Sequence, residues 1–173
     1  MTARSGGLDA LLALRRAVVT ATTGLIVASV TPVVFGWTTT VVVSGSMAPA
    51  VATGDVVAAA PVPPADVRRL PAGTVVLVED PTRPGTLLLH RLVRFTADGK
   101  LITKGDANTV ADSAPVPAEN LRGRARLRIP ALGLPVVWLQ QGTYAPVVAL
   151  GMLSAIVLCW RPRQRHGATR DAR

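Results

Sequence analysis

The stretch from Thr38 to Ala60, "TTTVVVSGSMAPAVATGDVVAAA", holds two apolar runs around a segment rich in Ser, Gly and Pro. The first run, "TTTVVV", is β-branched throughout, and such side chains suit a pleated, half-buried surface. The second, "DVVAAA", is short and apolar. Gly, Pro and Ser between them are turn residues. The pattern reads as strand, turn, strand. Inside the turn lie Ser44, Gly45, Ser46 and Met47. Taken alone, "SGSM" is a turn carrying hydroxyls. A serine nucleophile is the alternative, because a neighbouring glycine lets a substrate backbone approach closely.

Immediately before this stretch, Ala17 to Trp37 is uncharged: "AVVTATTGLIVASVTPVVFGW". A helix of 21 residues is about 30 Å long, the thickness of a bilayer's hydrocarbon core. Arg15 and Arg16 precede it, Pro32 is placed to kink it, and Trp37 suits the interface. A cleaved signal peptide fits less well, because the run is long and leads straight into the serine segment. A second candidate span covers residues 143–160, "TYAPVVALGMLSAIVLCW", followed by Arg161, Arg163 and Arg165. Two spans place both termini on one side, and the positive-inside rule makes it the cytoplasm. The expected layout is a cytoplasmic N-terminus (1–16), a transmembrane helix (17–37), an extracytoplasmic β catalytic domain (38–142), a transmembrane helix (143–160) and a cytoplasmic basic tail (161–173). The protein is expected at the plasma membrane as a multi-pass protein. His166 falls in the tail as a solvated residue.

Downstream, the chain continues as short apolar runs, "GTVVLVED", "TLLLHRLVRF" and "KLITKGD", divided by "PVPPAD", "PTRPG" and "ADG". This is the punctuation of a mainly β domain. "ADVRRL" has room for one helical turn, and no long amphipathic helix or internal repeat is evident. Hydrophobic residues make up 49% of the 173, and mean hydropathy is +0.39. That is a membrane-protein composition. The single cysteine, Cys159, excludes an internal disulfide. The net charge of +9 does not point to nucleic acid, because its excess sits at the two ends beside the apolar segments. In "LRGRARLRIP", Arg122, Arg124, Arg126 and Arg128 alternate with smaller or apolar residues. Period two places all four on one strand face, turned to solvent or to anionic lipid headgroups.

A nucleophilic serine needs a base and oxyanion donors. His90 is the one histidine between residues 38 and 143, inside an apolar run where histidine is more often structural. The nearby carboxylates are Asp106 and Asp112 in "LITKGDANTVAD". Lys104 is a second base candidate, since a desolvated lysine can act at neutral pH.

Taken in order, "SGSMAP", "HR" within an apolar run, and "TKGDANTVAD" resemble the type I signal peptidases. The resemblance is to the archaeal and endoplasmic-reticulum-like branch, which uses Ser, His and Asp where the other branch has lysine in the place of His90. It covers about residues 41–133. It implies a signal-peptidase-like β catalytic domain flanked by two transmembrane helices. It further implies Ser46 as nucleophile, His90 as general base, Asp112 as the acid completing the site, and Ser44 and Asp106 in oxyanion or supporting roles. Asp106 versus Asp112 stays open, as does a Ser46–Lys104 dyad. Ala48 and Ala107 depart from the Glu and Asn common at those places. The implied activity is a membrane-bound serine endopeptidase removing signal peptides from exported preproteins, with no cofactor or metal. Its expected partners are preprotein signal peptides and membrane lipid, not nucleic acid. The residues leave the oligomeric state open. The competing class is a catalytically inactive or partner-type membrane protein with an extracellular β domain.

Overall fold

The computed structural model describes residues 3–159. Helix α1 runs over Ala3–Val34. Strands β1 (Thr38–Val41), β2 (Val56–Ala60), β3 (Val75–Glu79), β4 (Leu87–Phe95), β5 (Leu101–Lys104) and β6 (Leu121–Ile129) follow. Helices α2 (Leu134–Gln140) and α3 (Tyr144–Cys159) close the order. The mainly β expectation therefore holds. "ADVRRL" supplies a single 3-10 helix, Pro64–Arg69.

The six strands form one antiparallel sheet in the order β1-β2-β6-β3-β4-β5. Both of its faces are covered. Val57, Ala59, Leu77 and Leu89 pack with Val42, Met47 and Val51 on one side. Val76, Val78, Leu92 and Leu101 pack with Val67, Leu70 and Val116 on the other. This explains why β2 and the first four residues of β3 are apolar runs rather than alternating ones: a strand buried on both faces has no polar side.

β6 does not carry its arginines on one face. The pairing skips Arg126 between Leu127 and Ala125 opposite β2, and skips Arg122 between Gly123 and Leu121 opposite β3. Each skipped residue is a bulge, and a bulge shifts the alternation by one. Arg124 pairs with Val76 on the second core's face, whereas Arg128 pairs with Val57 on the first. Arg122 meets Glu79 and Arg128 meets Asp55. The expected row of four charges is therefore split, and with it the case for a lipid-facing arginine surface.

α1 differs from the expected 17–37 segment at both ends. It takes in Arg15 and Arg16, contains Pro32, and stops at Val34. The stop is chemical. Gly36 has φ +73, its N–H donates to Val33 O, and the Trp37 N–H reaches back to Pro32 O. That pair of bonds around a left-handed glycine is a helix-ending cap. The helix ends three residues early so that the chain can turn into β1. Leu12–Val34 is the one helix among the described residues long and apolar enough to cross a membrane. Leu25, Ile26, Val27 and Val30 on it are each about half exposed.

The second expected span is not shown. α3 is a 16-residue apolar helix, about 24 Å long at 1.5 Å per residue. That is short of the hydrocarbon core. Trp160, the tail arginines and His166 lie outside the described residues. α2 was not evident from the sequence, because "LPVVWLQ" is apolar and partly β-branched like the strands. Pro135 in its first turn is the helix-start signal.

Candidate active site

The segment leaving β1 turns at Gly45, whose carbonyl accepts the Ala48 N–H, and again at Met47, whose carbonyl accepts the Val51 N–H. Met47 is completely buried and anchors this turn in the first core. Ser46, one residue earlier, is left half-exposed at the core's rim. A second turn, residues 105–108, closes on it from β5. The Ala107 N–H donates to Ser46 O at 2.9 Å. A side chain on Gly105 would put its Cβ 2.6 Å from that same oxygen, so only glycine fits.

His90 is a buried residue of β4, 6% exposed. Its Nε2 lies 3.2 Å from Ser46 Oγ, and its Nδ1 lies 2.6 Å from Asp112 Oδ2. Asp112 comes from the loop after β5, where its N–H donates to Thr103 O at 2.8 Å. The Thr103 hydroxyl donates to the same Oδ2 at 2.6 Å. Ser46, His90 and Asp112 thus form one continuous line of contacts. A carboxylate on Nδ1 keeps the proton on that nitrogen and leaves the Nε2 lone pair facing the serine. Ser44 Oγ is 3.3 Å from Ser46 Oγ and stands in the open.

Asp106 and Lys104 are not part of that line. Both Asp106 oxygens accept from Arg91, Nε at 2.8 Å and Nη2 at 2.7 Å. The remaining Arg91 nitrogen donates to Gly73 O. This fork holds the Asp106 carboxyl below the usual aspartate value, with the charges of His90 and Lys104 adding to it, and raises the Arg91 guanidinium further. Lys104 lies opposite Arg91 across the β4–β5 pair. Its ammonium has no hydrogen bond or ion pair among the described residues, and the residue lines a separate cavity of about 280 Å³ with Gly73, Arg91 and Asp106. The two aspartates differ in contact: Asp112 meets the imidazole and Asp106 meets Arg91.

Thr103 and Arg91 received no role in the sequence reading, although both stand inside the quoted motifs. A hydroxyl at the end of an apolar β5 and a cation next to His90 were the available signals. A cleft of about 50 Å³ opens beside Ser46, lined by Thr40–Ser44, Met47, Leu77 and Leu87–Leu89.

No protein-family model matches the chain. Among curated proteins it is similar to Signal peptidase I W of Bacillus subtilis (strain 168), with 40% identity over 97 residues. The matched part is 54% of this chain and 48% of that protein, so the chain spans about half the length of the curated relative. The likeness supports the type I signal peptidase resemblance. It does not separate the branches of that family.

Proposed function

We propose that this protein is a membrane-bound serine endopeptidase of the Ser-His-Asp signal-peptidase branch, removing signal peptides from exported preproteins. The observation that carries the reading is the line Ser46 Oγ, His90, Asp112, with contacts of 3.2 and 2.6 Å. Among the described residues Ser46 Oγ meets His90 Nε2 and makes no hydrogen bond to Lys104, which favours an imidazole base over a Ser–Lys dyad.

The chemistry follows from these atoms. His90 Nε2 takes the Ser46 hydroxyl proton as Oγ attacks the scissile carbonyl carbon. Asp112 holds the ring in the productive tautomer and stabilises the imidazolium. The imidazolium returns the proton to the departing amine, leaving an acyl ester on Ser46. Water, deprotonated by the same nitrogen, then attacks the ester, and Ser46 recovers its proton as the signal peptide's new carboxyl leaves. The Ser46 N–H and the Ser44 hydroxyl, whose Oγ lies 3.3 Å from Ser46 Oγ, are the candidate donors to the developing oxyanion.

Substrate class rests on size and place. The cleft at Ser46 is small and lined by Val, Leu and Met side chains together with Thr40 and Ser44, which suits the small residues of an A-x-A cleavage site. Ser46 follows α1's last residue, Val34, by twelve residues, at most about 40 Å of extended chain. With residues 17–34 of α1 in the bilayer and Arg15 and Arg16, earlier on the same helix, at the cytoplasmic side, the site lies outside, close to the membrane where a signal peptide ends. The test compares N-termini of exported proteins by mass spectrometry in cells carrying wild type or Ser46→Ala. Uncleaved signal peptides in the variant are expected. Normal mature N-termini in cells with no other copy of the enzyme would overturn the reading.

A further inference from the structure

We infer that Thr103 is a positioning residue for the candidate acid, a fourth member of the Ser46–His90–Asp112 line. The inference rests on the function proposed above and deepens it.

Thr103 holds Asp112 at two points. Its carbonyl accepts the Asp112 N–H at 2.8 Å, and its hydroxyl donates to Asp112 Oδ2 at 2.6 Å. That oxygen is the one His90 Nδ1 meets, also at 2.6 Å. Thr103 is completely buried, while the Asp112 side chain keeps 21% of its surface exposed. The carboxylate comes from a loop and is reached by water on one side. A donor fixed inside the sheet sets its direction on the other. Threonine suits the task because branching at Cβ restricts χ1, so the hydroxyl cannot swing freely. β5 supplies the rigid base: Thr103 pairs with Leu92, two residues beyond His90 on β4. One pair of strands therefore carries both the imidazole and the group that aims its acid.

The hydroxyl also tempers the carboxylate. A donor on Oδ2 withdraws charge from the oxygen that faces the imidazole. Without it the carboxylate stabilises an imidazolium more strongly, and the base is protonated at a higher pH. The other charges around His90 are Arg91, Asp106 and Lys104. Asp106 is tied to Arg91 through both oxygens, and Thr103 makes no hydrogen bond to any of the three among the described residues.

The test uses the full chain in detergent and a synthetic peptide with an apolar segment ending in Ala-x-Ala, with kcat/KM followed across pH. Thr103→Val keeps the shape and removes the donor. It is expected to lower kcat/KM about tenfold and to move the acid limb of the profile up by about half a pH unit. Thr103→Ser keeps the hydroxyl and should recover most of the rate and return the limb to its wild-type place. Thermal unfolding of each variant identifies the folded fraction used to normalise rates. A wild-type rate and an unmoved acid limb in folded Thr103→Val would refute the inference. So would equal losses in Val and Ser, which would mean packing alone. Failure of the underlying reading is separate: it would appear as undiminished cleavage by Ser46→Ala.

Discussion

Two aspartates six residues apart make different contacts, and the proposed function gives them different work. Asp112 meets the His90 ring and accepts from a buried hydroxyl. Asp106 accepts a two-pronged bond from Arg91. Their replacement by Asn separates the two roles. Asp112→Asn places an amide on Nδ1 and favours the tautomer whose Nε2 cannot take the Ser46 proton. It is expected to lower kcat a thousandfold or more, roughly, with little change in unfolding temperature. Asp106→Asn should do the reverse, costing about 1–3 kcal/mol of stability because a fixed guanidinium loses its charge partner. Peptide cleavage and thermal unfolding on both variants check this; a kcat loss in Asp106→Asn equal to that in Asp112→Asn would reverse the assignment. Which aspartate faces the ring was not legible in "GDANTVAD", since both follow turn residues and nothing in their spacing points one of them at β4.

Among the elements, the turn bearing Ser46 depends on a residue outside the proposed chemistry. Asp55, 2% exposed, accepts from the Ala52 N–H, the Ala131 N–H and Arg128 Nε. Arg128 also donates to Ala50 O. Asp55 and Arg128 thus bind the 44–55 segment to the end of β6 and to the turn before α2. Burial pushes the Asp55 carboxyl up, but its two backbone donors and Arg128 outweigh that and hold it below the ordinary value. Asp55→Ala leaves these donors without their acceptor and is expected to cost about 3 kcal/mol. Chemical denaturation of the variant measures the loss, and a change under 1 kcal/mol, roughly the scale of a surface pair, would show the tie to be dispensable. Alternation alone put Arg128 in a row with Arg122, Arg124 and Arg126. The bulge at Arg126 turns Arg128 toward Asp55, and a bulge is a property of two paired strands rather than of one.

For the molecule as a whole, the sheet's connections are held by carboxylates with lowered proton affinity. Asp80 is lowered first by the Thr82 hydroxyl, with help from the Thr82 N–H and Arg83. Asp106 is lowered first by Arg91, and Asp55 by the donors just described. A carboxylate whose folded value is depressed contributes stability above its unfolded value, about 3.9 for Asp. That contribution is lost as pH falls through the folded value. Stability should therefore be flat in this respect from pH 7 to about 5 and decline below about 4. Unfolding midpoints measured from pH 7 down to 3 check the window, and a loss already complete at pH 5 would contradict it. The apolar part of α1, Leu12–Val34, is the element that joins this domain to a bilayer in the proposed layout.

Composition and local pattern determined the β domain, the apolar helix before it and the three motifs, because residue preference, turn chemistry and span length act over a few neighbours. The same local rules placed Ser46, His90 and Asp112 among the candidates, with Lys104 and Asp106 beside them. Which of them touch one another is set by the sheet. β3 pairs with β4 and β4 with β5, so His90 is delivered to Ser46 across 44 positions and to Asp112 across 22. Hydrogen bonds work over about 3 Å, and only the folded chain sets distances at that scale. The early stop of α1, the split arginine row and the grip of Thr103 on Asp112 belong to the same class. Each depends on which backbone lies alongside, and a single strand's sequence does not carry that.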